Sequence, residues 1–205
     1  MQRDSGEDGI RDSLARFPWL TLAVVGIAAL LSSSPAAEQA LEYERDRVAR
    51  GEVWLLLTSQ AVHWSPRMAL LDVGAVLLLG SWIEWRSRNL FVLTVTATLL
   101  LVAFGIHFAA PGYTHYRGAS GLASGLFTAV ALALAVRPSR GLPRILALAA
   151  LALFATKLAL ETMTGRALFA GEMAPGVEAL PIVHLLGAVA GAASFLVWRV
   201  RRRSV

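Results

Sequence analysis

The chain has 205 residues, of which 56% are hydrophobic and only 16% are charged, with a formal net charge of +5 and no cysteine. A soluble domain of this size keeps roughly 30% of its unfolded surface exposed, so it could not hide this much apolar surface, and a lipid bilayer is the expected solvent. The absence of cysteine excludes a disulfide framework and thiolate metal sites. The basic residues lie mostly between apolar runs, which indicates membrane topology and not nucleic-acid binding.

The first part of the chain predicts a polar tail and one membrane span. Residues 1–16 mix acidic and basic side chains and form the predicted cytoplasmic tail, and the apolar run 17–31 is the first predicted span. A cleaved signal peptide is the alternative, because Pro35-Ala36-Ala37 offers a small-residue cleavage region. A charged stretch, 36–52, and an apolar run, 53–62, follow. Ten residues are too few to cross a bilayer, so the second of these is expected at the interface.

Five further apolar runs have about the length of a membrane span and end at charged or turn-forming residues. They are residues 68–83, 90–110, 118–136, 145–163 and 180–200. Together with 17–31 they predict an all-α membrane protein whose single domain, residues 17–200, is a bundle of six transmembrane helices. A basic cytoplasmic tail, 201–205, follows.

Arginine placement predicts the orientation of this bundle, because short cytoplasmic loops carry an excess of basic residues. Alternate loops and both ends of the chain share this excess: Arg3, Arg11, Arg16, Arg86, Arg88, Arg137, Arg140, Arg144, Arg199 and Arg201 to Arg203. The later two loops of the opposite side hold only Arg117 and Arg166. Both termini are therefore expected in the cytoplasm. The first loop, with four arginines, is the exception.

Polar residues inside the predicted spans converge on one depth. Asp72 lies about one turn into the second span, Ser120 in the first turn of the fourth, and His184 about one turn into the sixth. All three spans enter from the outer side, so at 1.5 Å per residue these side chains share the outer third of the bundle. His63, just before the second span, lies at the same level. Ionisable residues in spans are costly, which makes each a functional candidate.

Ser120 and His184 together suggest an activated nucleophile, in which the imidazole takes the hydroxyl proton during attack on a carbonyl. Gly118 and Gly121, close to the serine in sequence, would let a substrate backbone approach, and the first-turn N–H groups suit a developing oxyanion. The simpler interpretation is a packing serine and a histidine in a structural hydrogen bond. Gly187 and Gly191 favour the functional interpretation, since they allow another helix to pack tightly beside His184.

Other ionisable residues give weaker signals. His107 and His115 are too scattered to form a metal site, so no metal or cofactor is expected. Lys157 and Glu161 are four residues apart on the fifth span and are predicted to neutralise each other, with a proton relay as the alternative. Glu84 is predicted to anchor one end of the second span.

In combination, these motifs resemble the rhomboid family of intramembrane serine proteases. The resemblance covers residues of about 50 to 198 and rests on Gly118-Ala119-Ser120-Gly121, His184-x-x-Gly187-x-x-x-Gly191, Gly80-x-x-x-Glu84 and His63. It implies a rhomboid-like six-helix bundle in which Ser120 is the nucleophile and His184 the general base. It also implies a dyad without a third, acidic member.

The second span departs from the family pattern. Rhomboids usually have a histidine, a second histidine five residues later and an asparagine four after that, the latter two binding the oxyanion. The corresponding residues here are His63, Met68 and Asp72, and the common Trp-Arg pair is Trp54-Leu55. Met68 cannot donate a hydrogen bond and an ionised Asp72 would repel an oxyanion. Asp72 can help if it is protonated, or it can orient His63.

An aspartate at this position, in a compact six-span chain, is more similar to the rhombosortase branch. That resemblance implies a bacterial inner-membrane enzyme whose substrates are single-span, membrane-tethered proteins with a carboxy-terminal Gly-Gly sorting tail, cut near the outer face. Two alternatives stay open. One is a catalytically silent rhomboid-like protein that binds membrane clients, and the other is a small proton-coupled transporter with Asp72, Lys157 and Glu161 as relay groups.

Overall fold

The computed structural model describes residues 17–136, 141–165 and 180–204. Within these ranges the chain is mostly helical, and its single sheet is a pair of two-residue antiparallel strands. The predicted polar tail, 1–16, lies outside the described residues, as do Arg137, Arg140 and Arg166, on which part of the predicted orientation depends, and the last residue of the basic tail.

The described part of the chain forms nine α-helices. In chain order they are α1 (Trp19–Leu31), α2 (Pro35–Leu41), α3 (Arg45–Ala49), α4 (Leu55–Thr58), α5 (Pro66–Arg86), α6 (Arg88–Phe104), α7 (Ser120–Ala135), α8 (Leu142–Thr164) and α9 (Pro181–Arg203). Strands β1 (Tyr43–Glu44) and β2 (His115–Tyr116) pair with Tyr43 opposite Tyr116. A π-helical turn, Gly105–Ala109, extends α6.

Four described helices are long and apolar enough to cross a membrane: α5, α6 with its π-helical turn, α8 and α9. The pair α1 and α2, bent by 107°, is a fifth candidate. α7 is apolar but has 16 residues, which at 1.5 Å each reach about 24 Å, short of a hydrocarbon core of about 30 Å. The architecture is that of a helical integral membrane protein, and the predicted count of six full-length spans is not established.

The chain reaches α7 through a loop that is itself buried. Tyr116, Gly118 and Ala119 are all buried ahead of the first helical residue. Most of the α7 side chains are buried as well, and they form one core with residues of α5, α6 and α9. α7 therefore occupies the centre of the bundle, and its first turn lies below the surface.

Two opposite ends of the bundle can be defined from side-chain contacts. At the first, the arginine end, Arg88 donates to the Phe17 carbonyl (3.3 Å) and Trp198 Nε1 donates to Ser87 Oγ (2.8 Å). These bonds join the start of α1, the α5–α6 turn and the last turns of α9. At the second, the strand end, Tyr43 and Tyr116 share an apolar cluster with Val183, near the start of α9.

Glu84 joins α1 to α5 at the arginine end. Its buried carboxylate accepts hydrogen bonds from the backbone N–H groups of Leu20 (3.0 Å) and Thr21 (2.7 Å) and from the Thr21 hydroxyl (2.8 Å), and Arg88 lies 3.5 Å away. A side chain at Gly80, one turn earlier, would meet Thr21 at 2.9 Å. Gly80 and Glu84 thus hold the neighbouring helix α1. The sequence predicted only that Glu84 anchors one end of its own helix.

Replacing Glu84 with glutamine should destabilise the protein by about 1.5–3 kcal/mol, the usual cost of losing hydrogen bonds to a charged acceptor. The amide would turn N–H donors toward the donors of α1. The measurement is denaturant unfolding in detergent. Glu52→Gln is the matched control, because among the described residues the Glu52 side chain bonds only the nearby Arg47. Equal stability losses in the two variants would contradict this role of Glu84.

Candidate active site

Ser120 is the first residue of α7, directly after a turn that requires glycine. Gly118 has a φ of +138°, a conformation that residues with a Cβ rarely adopt. The first bond inside the helix runs from the Ala123 N–H to the Ala119 carbonyl (2.9 Å). The N–H groups of Ser120 and Gly121 precede this bond and have no acceptor within the helix, so they suit an anion close to the serine hydroxyl.

Asp72 binds the backbone just before the serine. Its Oδ2 accepts the Ala119 N–H (3.1 Å) and lies 3.6 Å from Nε2 of His63. His63 is 1% exposed, and within the described chain neither of its ring nitrogens has a hydrogen-bond partner. The structure thus brings Asp72 to the residue before Ser120, and His63 to Asp72. Asp72 holds the turn by a backbone hydrogen bond and lies beside the buried imidazole of His63.

Tyr116, which the sequence did not single out, lies between these groups. Its hydroxyl donates to the Gly118 carbonyl at 2.6 Å. Burial, and secondarily the nearby Asp72, raises the pKa of this phenol above its ordinary value of 10.0. Tyr116 therefore stays a neutral donor that holds the turn. A lone tyrosine in a loop carries no sequence signal for this position.

Tyr116→Phe should cost about 1–2 kcal/mol at neutral pH through the lost hydrogen bond. The raised pKa adds a pH dependence: the contribution of Tyr116 is complete below pH 10 and is lost as the pH rises through the folded-state pKa. Denaturant unfolding between pH 8 and 11 should therefore show a smaller alkaline loss of stability in the variant. Burial also raises the pKa of Tyr43. Tyr43 is still present in the variant, so part of the alkaline loss of stability should remain. An unchanged alkaline slope would contradict the assignment.

Glycines bring α7 and α9 into backbone contact beside Ser120. A Cβ on Gly187 would overlap the Gly121 carbonyl oxygen, and one on Gly191 would overlap the Gly125 carbonyl oxygen. A Cβ on Gly121 would lie 3.2 Å from the Val183 carbonyl oxygen. The turn of α9 that carries His184 thus faces the turn of α7 that starts at Ser120. Between these two described residues the structure has no hydrogen bond from Ser120 Oγ to the ring.

The His184 ring is bound on its other side by α8. Its Nδ1 lies 2.8 Å from Oε2 of Glu161. The same oxygen accepts a hydrogen bond from Lys157 Nζ (2.7 Å), and Nζ lies 3.2 Å from Nδ1. The predicted Lys157–Glu161 pair is present. The contact with His184 was not predicted, and an acidic residue on the histidine differs from the two-residue dyad that the family resemblance implied.

The position of Glu161 along its helix could have identified it from the sequence as a residue of the site. Glu161 is three residues before the end of α8, on a helix that leads from the arginine side toward the outer side in the predicted topology. The depth argument applied to Asp72, Ser120 and His184 would therefore have placed Glu161 at their level. What the sequence lacked was the rotation of α8 about its axis.

Charged residues of the first loop bind other segments of the chain at the strand end. Arg45 donates to the carbonyls of Ile106 (3.0 Å), His107 (2.9 Å) and Ala110 (2.9 Å), at and just after the π-helical turn. Arg117 bonds Glu42 at 2.9 Å. Arg45, one of the four arginines that are the exception to the predicted positive-inside pattern, thus binds protein carbonyls.

Comparisons with known proteins add no family assignment. No family model matches the chain, and no curated protein matches it either. The resemblance to the rhomboid family rests on the sequence motifs alone.

Proposed function

We propose that the protein is an intramembrane serine endopeptidase of the rhomboid type, with Ser120 as nucleophile and His184 as general base. One observation carries this proposal. Backbone contact between Gly121 and Gly187 sets the serine turn of α7 against the histidine turn of α9, and the Glu161 carboxylate holds the ring by Nδ1. A serine that only packs would not need an anchored imidazole on the facing turn.

The reaction would proceed by acyl transfer. Ser120 Oγ attacks the carbonyl carbon of the scissile peptide while its proton passes to Nε2 of His184. The N–H groups at the start of α7 stabilise the oxyanion. The histidine then donates its proton to the departing amine, and water, deprotonated by the same ring, hydrolyses the acyl-enzyme. Apo enzymes often hold the nucleophile and base apart until substrate binds, so a missing Ser120–His184 hydrogen bond is compatible with this route.

The proposed setting is the outer leaflet of a bacterial inner membrane. The bundle would cross six times, with α7 as a short central span and the arginine end in the cytoplasm, as Arg86, Arg88 and Arg201 to Arg203 favour. Ser120 lies at the strand end, which would then face outward, and water would reach it there. Substrates would be single-span proteins, including those with a carboxy-terminal Gly-Gly sorting tail.

The experiment is cleavage of a panel of single-span substrates, one with a Gly-Gly tail, by wild type and Ser120→Ala in the same membranes. The expected result is cleavage near the outer face that requires Ser120. Restriction to the Gly-Gly substrate would select the rhombosortase-like activity. Cleavage that continues in Ser120→Ala would overturn the proposal.

A second candidate is a silent rhomboid-like protein that binds membrane clients without cutting them. It is favoured by the absence of a hydrogen bond between the described Ser120 and His184 side chains, and by the Asp72 carboxylate on the turn before the serine. In the same experiment, this candidate predicts that wild type and Ser120→Ala both bind a substrate and that neither releases a cleavage product.

A further inference from the structure

A buried carboxylate on α8 makes a contact that the Ser–His dyad does not require. Glu161 is 0% exposed, and it is one of only two buried residues among those described for α8, the other being Ala147. A helix that faces mostly outward thus buries an acidic side chain. Burying a charge is costly unless it is paired, and ionisable groups in a membrane bundle usually serve a purpose.

Lys157 alone is enough to neutralise this charge. It lies one turn earlier on the same helix and binds Glu161 Oε2 at 2.7 Å. The contact from Oε2 to Nδ1 of His184, at 2.8 Å, therefore goes beyond neutralisation and reaches across to α9. That contact has a defined chemical consequence for the ring.

The distances select one tautomer of His184. If Nδ1 carried no proton, it could accept a hydrogen bond from Lys157 Nζ at 3.2 Å. It would then also face the Glu161 oxygen at the shorter distance of 2.8 Å with no hydrogen between two acceptors, which is repulsive. If Nδ1 carries the proton, it donates to Oε2, and Lys157 donates to the same oxygen. Nε2 is then the unprotonated nitrogen. It is the tautomer that a general base needs, with its lone pair on the atom away from the carboxylate.

We propose that Glu161 is the positioning residue of His184: it fixes the tautomer and ring orientation, and its charge offsets the imidazolium that forms when the ring takes the Ser120 proton. This inference rests on the proposed protease function. The negative charge of Glu161 matters because of Lys157. The Lys157 ammonium lies 3.2 Å from Nδ1, and it would repel an imidazolium if Glu161 were neutral.

Among residues 17–136, 141–165 and 180–204, Lys157 and Glu161 are the charged side chains that contact the ring. α7 carries no titratable side chain. On α6, Arg88 lies at the arginine end, and in the π-helical turn the His107 ring contacts the Tyr43 hydroxyl at 3.2 Å. Asp72 and Tyr116 lie at the Ser120 turn. All of these stay unchanged when Glu161 or Lys157 is replaced.

The test is the pH profile of cleavage in Glu161→Gln and Lys157→Met, with kcat and KM determined separately. Glu161→Gln should lower kcat by about 10²-fold or more with KM changed less than about threefold, as a misoriented histidine does. It should also move the acidic limb of the profile to lower pH, because Lys157 then disfavours the imidazolium. Lys157→Met should move that limb the opposite way. Glu161→Asp should recover part of the lost kcat.

Two controls separate the possible failures. Glu84→Gln is a matched change at another buried carboxylate, 0% exposed in its side chain, and should lower stability without moving the limb. Ser120→Ala tests the proposed function itself. If cleavage requires Ser120 and Glu161→Gln keeps the wild-type kcat and limb, the positioning role is wrong and the protease stands. If Glu161→Gln does not fold, the same decision falls to Lys157→Met, in which an unmoved limb overturns the role.

Discussion

Replacing Ser120 with alanine should lower the cleavage rate by at least about 10⁴-fold, and His184→Ala should lower it by a similar factor. The two residues act in one proton transfer, so removing both should cost little more than removing either. The double variant therefore distinguishes a dyad from two residues that matter independently. The measurement is initial rate of product formation in proteoliposomes at matched enzyme levels.

Ser124→Ala is the matched control for the serine change. Ser124 is one turn further along α7 and donates its hydroxyl hydrogen to the Ser120 carbonyl at 2.8 Å. It is the same chemical change on the same helix, but it removes only a local hydrogen bond. Cleavage within about tenfold of wild type is expected. Additive losses in the double Ser120 and His184 variant, or a Ser124 loss as large as that of Ser120, would contradict the dyad.

Hydropathy predicted where the helices are but not how far they extend. The predicted run 68–83 corresponds to the observed helix Pro66–Arg86, and the predicted run 180–200 corresponds to Pro181–Arg203. The added turns contain Arg67, Glu84 and the terminal arginines, which lower hydropathy but are tolerated where a helix leaves the apolar layer. Helix starts carry their own signals, since Ser65 caps α5 by accepting the Met68 N–H at 3.3 Å, directly before Pro66.

The depth of a residue could be deduced from the sequence, whereas its rotation about the helix axis could not. Counting residues from the span ends indicated a common level for Asp72 and Ser120, and the structure joins the Asp72 carboxylate to Ala119. Which residue of α8 meets His184 depends on how that helix is turned. Lys157 and Glu161 mark one face of α8, but the sequence does not say which neighbouring helix that face meets. For that reason the sequence predicted the Lys157–Glu161 pair and missed the histidine.

Loop contacts were the least predictable part of the site. Tyr116 acts through a hydrogen bond to Gly118, two residues away, whose geometry depends on the positive φ of that glycine. Arg45 binds carbonyls that a π-helical turn leaves without helical partners. Neither a π-helical turn nor a buried loop has a reliable sequence pattern, so the residues that hold Ser120 in place emerge only from the fold.

The double substitution Gly187→Ala and Gly191→Ala should destabilise the protein by about 4 kcal/mol, since overpacking costs about 1–3 kcal/mol per site and more when nothing can move aside. Each new methyl group would overlap a carbonyl oxygen of α7, at Gly121 or Gly125. A backbone atom cannot rotate away, so the two helices must separate along the length that holds Ser120 against His184.

Cleavage should therefore fall together with the free energy of unfolding, measured by denaturant in the same detergent. Gly74→Ala is the matched control, because a Cβ on Gly74 meets nothing within 4 Å and alanine favours a helix interior by up to about 1 kcal/mol. It should leave cleavage unchanged and stability equal or higher. A double variant as stable as wild type would mean that α7 and α9 do not pack glycine to glycine, and it would remove the contact that carries the proposed active site.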